Sequence, residues 1–261
     1  MRSILVQGGR DQAMAGRLDT ALDLARAHEG HVTIAIDTPI DRFVTVDPYG
    51  GTYVAREALD SALAADDALA EAFAGRLEAD DVPFDVVQFE TQPLEAMLVA
   101  ARLADLAIVS RTCGYAGDLA VEAKCPVLVV PSDKRIAFPL KTACIAWDGS
   151  EEAAAALRGC TRLLWGCSEV HVLTVLSDKP QGFPPTDALR YLSRHDIKVE
   201  LHELTKTGST EETLAGAVSR LGGELLVLGA FGHSRLREFM FGGVSRYFLE
   251  NENGPALLMA H

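Results

Sequence analysis

Between Gly229 and Ser245 the chain carries the spacing Gly229-x2-Gly232-x9-Gly242, followed directly by Gly243, Val244 and Ser245. Glycines let backbone approach a ligand closely. A turn that opens a helix offers free N–H groups and a positive dipole end to a phosphate. Ser245 adds a hydroxyl, and His233, Arg235, Arg237 and Arg246 add positive charge on the same segment. Far upstream, Asp148 follows the apolar run Cys144-Ile145-Ala146-Trp147 and is followed by Gly149. Its acceptor-only carboxylate suits ribose hydroxyls. The chemistry these residues suggest is capture of a phosphorylated sugar, with no evident base to activate water. No Walker A, G-x-S-x-G or H-E-x-x-H pattern occurs, so no catalytic residue is assigned.

Each signal has a purely structural counterpart. Three spaced glycines also serve as turn residues. Asp148-Gly149-Ser150-Glu151 reads as a capping box, with Glu151 reaching back to the Asp148 amide. His233, Arg235 and Arg237 fit a solvated surface, and Phe239, Met240 and Phe241 fit core or dimer packing.

The elements that must hold these residues repeat. Met1–Arg10 lines up with Lys141–Ser150, each a short apolar run meeting a glycine turn and an Ala/Leu-rich helix. Those helices are expected from about Asp11 to Glu29 and from Ser150 to Trp165. The stripe Ala96, Val99, Ala100, Leu103 recurs as Leu214, Ala217, Val218, Leu221, one helical face each. Apolar runs without strict alternation, such as Asp105–Ser110 and Glu224–Gly229, fit strands buried on both faces of a parallel sheet. Each half therefore reads as a doubly wound α/β domain: a five-stranded parallel sheet of order 3-2-1-4-5 flanked by helices. The boundaries are 1–136 and 137–261, with the join near Pro131–Leu140. A loop holding Asp47, Pro48, Gly50 and Gly51 is expected to precede a helix from about Tyr53 to Ala79. Its shorter counterpart is expected at about Asp187 to His195.

The halves differ between their fourth and fifth strands. The second has 24 residues there (230–253) and the first only 14 (111–124), lacking the glycine spacing. In such sheets ligands bind outside the carboxyl ends of the strands where the order reverses, here between Asp148 and Gly229. The first half has Gly8 where the second has Asp148, so no nucleotide is expected there. Gly8-Gly9-Arg10-Asp11 faintly resembles the S-G-G-x-D-S loop of ATP pyrophosphatases, but Gln7 and Gln12 replace both serines.

With these residues in view, 137–261 resembles a universal stress protein domain, and the whole chain a tandem member of that family. The shared features are the β1 aspartate in Ile145-Ala-Trp-Asp-Gly-Ser150 and the G-x2-G-x9-G loop before the last strand. The resemblance implies an adenine nucleotide (ATP, ADP or AMP, with Mg2+ as a possible companion) held near Asp148, Val175, Gly229, Gly232, His233, Gly242, Gly243, Val244 and Ser245. Val175 would contact adenine through its backbone. It also implies a cytoplasmic stress-response role and pairing of the domains through their last strands, with a homodimer as a further option. With no evident base near the phosphates, hydrolysis is expected to be slow at most, and the nucleotide to act as signal rather than fuel. Gly243 departs from the Ser or Thr usual in the family, so one phosphate-binding hydroxyl is missing. A scaffold that binds partners without nucleotide is the alternative.

Composition narrows the classes. The chain has 261 residues, 37 acidic and 24 basic, for a net charge of −13. That acidity argues against nucleic acid, whose binding rests on Lys and Arg. The first 140 residues hold −10 and the remainder −3. No apolar run approaches membrane-spanning length. Five cysteines form no C-x-x-C pair, so they are expected as reduced, buried or helical thiols, and no metal site is expected.

Overall fold

The computed structural model describes residues 1–46, 52–132, 135–176, 182–230 and 243–261. The first half runs β1 (Ser3–Gln7), α1 (Met14–His28), β2 (His31–Asp37), a hairpin β3 (Val44–Val46) and β4 (Thr52–Val54), α2 (Arg56–Leu77), β5 (Phe84–Phe89), α3 (Pro93–Ala100), β6 (Leu106–Ser110), α4 (Ala116–Glu122) and β7 (Val127–Val130). The second half runs β8 (Thr142–Ala146), α5 (Glu151–Cys160), β9 (Glu169–Val175), α6 (Pro185–Ser193), β10 (Glu200–Leu204), α7 (Thr210–Leu221), β11 (Leu225–Gly229), α8 (Gly243–Glu250) and β12 (Ala256–Ala260).

Ten strands form one sheet in the order β10-β9-β8-β11-β12-β7-β6-β1-β2-β5. Every neighbouring pair is parallel except β12 and β7, which meet antiparallel through Leu257–Val129, Leu258–Leu128 and Met259–Val127. The central strands β6, β7 and β12 are buried throughout, as expected of Val/Leu/Ile runs covered on both faces. One apolar core joins the sheet to α1, α2, α5 and α6, and the other joins it to α3, α4, α7 and α8. The result is three layers.

Two boundaries differ from the sequence expectation for identifiable reasons. Tyr53 lies in β4, paired with Thr45 across the hairpin, and α2 starts only at Arg56. Thr-Tyr-Val favours a pleated strand over a first helical turn. The helix expected to reach Trp165 ends at Cys160. There Thr161 turns its hydroxyl back onto the Leu157 carbonyl at 3.0 Å and successive turns take over. The Asp47–Gly51 loop lies outside the described residues.

A cation ties the halves together. Arg111, 7% exposed in the short 3-10 turn after β6, donates to the Phe248 carbonyl in the last turn of α8 and to the Pro255 carbonyl before β12. Burial lowers its pKa to about 10. The negative end of α8 offsets part of that cost, because a cation is favoured where free carbonyls gather.

Candidate functional site

Sequence placed the ligand where strand order reverses in the second half, between β8 and β11. There Gly149 adopts φ +76, open to glycine without strain. A Cβ on Gly149 would lie 2.6 Å from the Phe183 carbonyl oxygen. Phe183 N–H donates to the Gly149 carbonyl at 2.9 Å, and Trp147 Nε1–H to the Phe183 carbonyl at 3.0 Å. The segment entering α6 is thus fastened over the turn that leaves β8. Trp147 and Phe183 also line a cleft of about 410 Å³ between α5 and α6, together with Leu157 and Tyr191. That cleft adjoins the turn but does not include Asp148.

Asp148 is exposed on this turn. Its Oδ1 accepts the Ser150 N–H at 3.0 Å and the Ser150 hydroxyl at 2.6 Å. Among the described residues its Oδ2 has no hydrogen bond. The expected capping box is not formed. Ser150 is the N-cap of α5, accepting from Ala153 N–H at 3.1 Å, and Asp148 stands two residues ahead of it. A one-turn Asx bond to Ser150 wins because glycine at 149 lets the chain fold back that tightly. The capping box that does form is at α7, between Ser209 and Glu212.

Gly229 ends β11, and its missing side chain has a specific cause. A Cβ there would lie 2.7 Å from Ala153 N and 2.7 Å from the Glu152 carbonyl carbon. Gly229 is expected beside a ligand, and its Cβ side faces the first turn of α5. Ser245 is buried at 4% and donates to the Gly229 carbonyl at 3.3 Å. Gly243 is exposed at the start of α8, and Val244 packs against the core. Val175 ends β9, paired with Leu204. Arg246 is held by Glu250 one turn on, at 2.7 Å, rather than aimed at the crevice. Gly232, His233, Arg235, Arg237, Gly242 and the Phe239–Phe241 run lie outside the described residues.

The corresponding crevice of the first half is filled by its own side chains, a feature composition did not signal. Gln7 Oε1 accepts from Ser110 N–H at 3.2 Å, bridging β1 to β6. Arg17 is fully buried. It donates to the Gln7 carbonyl at 2.8 Å and to both oxygens of Asp11, at 3.1 and 2.8 Å. The Arg17 hydrogen bonds hold the Asp11 carboxyl below its usual pKa against opposing desolvation. A carboxylate depressed in the folded state stabilises above its unfolded pKa, about 3.9, and loses that contribution as pH falls through the folded value. Urea midpoints measured from pH 6 down to pH 3 should therefore fall more steeply for the native chain than for Asp11→Asn. Equal slopes would show that the pair contributes nothing.

Of the five cysteines, Cys125, Cys144 and Cys160 are buried and Cys113 and Cys167 half-buried, all free thiols. Burial raises the thiol pKa of each. Among the described residues no helix is long and apolar enough to cross a membrane.

No protein-family model matches the sequence, and no curated protein does. Solved structures do. A universal stress protein from Archaeoglobus fulgidus DSM 4304 aligns over 99% of this chain and 96% of its own, with 13% identity and a TM-score of 0.73. A Pseudomonas aeruginosa UCBPP-PA14 protein, provisionally named a universal stress protein, aligns over 100% and 93%, with 14% identity and a TM-score of 0.62. Over half the chain, a universal stress protein in complex with cAMP covers 46% of this chain and 97% of its own, with 17% identity and a TM-score of 0.36. The full-length similarities and the ten-stranded sheet agree on one architecture: this chain has the fold of the universal stress proteins, two five-stranded units in a single polypeptide.

Proposed function

We propose that the chain is a tandem universal stress protein whose second half, residues 137–261, binds one adenine nucleotide as a regulatory signal in a cytoplasmic stress response. The supporting observation is the contrast between the two switch points. Gln7, Arg17 and Asp11 occupy the first, whereas the second presents an exposed carboxylate, with Asp148 Oδ2 turned to no described partner. Asp148 would take the ribose hydroxyls and the Val175 backbone the base. The loop through Gly232, His233 and Gly242, ending at Gly243, Val244 and Ser245, would take the phosphates, with Mg2+ as companion ion.

Calorimetry with ATP, ADP and AMP tests this. Wild-type protein should bind one equivalent of at least one of them. Gly232→Trp should abolish binding. Asp148→Ala should weaken it tenfold or more, since hydrogen bonds to a charged group contribute about 1.5–3 kcal/mol. No heat at millimolar nucleotide would end the proposal.

Two contacts favour a second reading, a partner-binding scaffold that uses its glycines only as packing residues. Gly229 is filled by α5, and the Ser245 hydroxyl is spent on the Gly229 carbonyl. On that reading Asp148→Ala leaves every association unchanged.

A further inference from the structure

Toward the end of β9 away from Val175, four polar residues converge. Glu169-Val-His171 on β9 and Glu200-Leu-His202 on β10 are the same Glu-x-His tripattern on neighbouring parallel strands. Strand residues two apart share a face, and the register pairs Glu200 with His171. All four side chains therefore stand on one side of the sheet. His171 Nδ1 lies 3.1 Å from His202 Nε2, and Glu200 Oε2 lies 3.8 Å from each. Among the described residues, His171, Glu200 and His202 are the one group of three ligating side chains.

We propose that His171 Nδ1, His202 Nε2 and Glu200 Oε2 form a binding site for a divalent first-row ion of the Zn2+ type. An ion about 0.7 Å off the plane of their triangle would lie about 2.2 Å from all three atoms, close to the distance Zn2+ keeps to imidazole nitrogen and carboxylate oxygen. Two imidazoles and a carboxylate are a donor set that suits this class of ion, and water would take the fourth position of a tetrahedral site.

A second observation points the same way. The His171 side chain is 8% exposed, and its Nε2 is buried without a hydrogen-bond partner among the described residues. An unpaired buried polar atom costs about 1–3 kcal/mol. With Nδ1 on a metal, Nε2 carries the proton and faces Glu169 Oε2, now 3.8 Å away. A carboxylate behind a ligating histidine is the usual outer partner in such sites, fixing the tautomer and ring orientation. Glu169 and Glu200 also balance the charge of a divalent ion. Glu200 is exposed on β10, an edge strand of the sheet, which gives the ion a path in. Edge strands often carry charge to block pairing with other chains. That accounts for Glu200 but not for a buried histidine aimed at it. The first half offers a built-in control: His31 and Asp85 on β2 and β5 form an exposed two-member pair, 2.8 Å apart.

The test is a Zn2+ titration of chelator-stripped full-length protein, in competition with a chromophoric chelator. One equivalent should bind tightly enough to compete. His202→Gln and Glu200→Gln, at positions on an accessible strand where folding is checked by circular dichroism, should each weaken binding about 100-fold. Glu169→Gln should cost about tenfold, in the range for outer partners. His31→Gln should change nothing. Co2+ should give visible ligand-field bands in the wild type and lose them in His202→Gln. Zn2+ should also raise the wild-type Tm and leave that of His202→Gln unmoved. Failure of wild-type protein to compete for Zn2+, or equal affinity in the folded His202→Gln variant, would overturn the site.

Discussion

Arg17→Ala should lower the unfolding free energy by about 2–3 kcal/mol, the scale of hydrogen bonds to a charged group, and less than for a wholly buried ion pair because Asp11 is 40% exposed. Arg17 is fully buried in α1 and is the largest such side chain among the described residues. Its guanidinium satisfies the Gln7 carbonyl and both Asp11 oxygens together. Truncation leaves the Gln7 carbonyl without its donor, while the Asp11 carboxylate, already 40% exposed, turns to water. Arg17→Lys should recover only part of the loss, because an ammonium cannot reproduce the planar fork that meets two carboxylate oxygens. Guanidinium melts of the three proteins decide the matter. A loss below 1 kcal/mol for the alanine variant would mean that water or a rearranged Gln7 replaces the guanidinium at little cost.

Gly229→Val should cost about 3 kcal/mol, at the upper end for overpacking. The clash is with backbone: the new Cβ alone would sit 2.7 Å from Ala153 N and 2.7 Å from the Glu152 carbonyl carbon. A side chain could swing aside; the first turn of α5 cannot move without carrying Ser150 and the Asp148 turn with it. On the proposed function, nucleotide affinity should therefore fall together with stability, whereas Asp148→Ala should reduce affinity with a smaller loss of stability, that of the exposed turn it holds to Ser150. Denaturant melts paired with calorimetry on both variants separate the two effects. Native stability in Gly229→Val would mean that α5 is seated more loosely than its contacts indicate.

Periodicity and repetition made the architecture legible before any coordinates. Apolar runs bounded by Gly and Pro marked the sheet strands, and the Met1–Arg10 and Lys141–Ser150 match exposed the duplication. What sequence could not supply was which neighbour a polar group chooses. The structural counterpart of the ligand reading of Asp148, a capping box, gives way to Ser150 as the cap, with Asp148 holding the turn ahead of it. At Gly229 the fold adds a demand of its own, since the first turn of α5 stands where a Cβ would be. Gln7 and Arg17, unremarkable in sequence, close the first crevice because their partners at Ser110 and Asp11 arrive through the fold. The two Glu-x-His patterns were visible, but only the register of β9 on β10 puts them side by side. Gly232, His233 and Gly242 belong to the proposed phosphate loop on sequence grounds alone.

The antiparallel seam of β7 and β12 joins corresponding strands of the two halves, the geometry of an isologous, two-fold contact made within one chain. Made between separate molecules, such a contact would come apart on dilution. Here covalent linkage turns association into an intramolecular event with a fixed effective concentration. One half can then fill its own switch point with Gln7 and Arg17 and still serve as the surface on which the other closes its sheet. Tethering lets two such halves diverge while the seam between them holds.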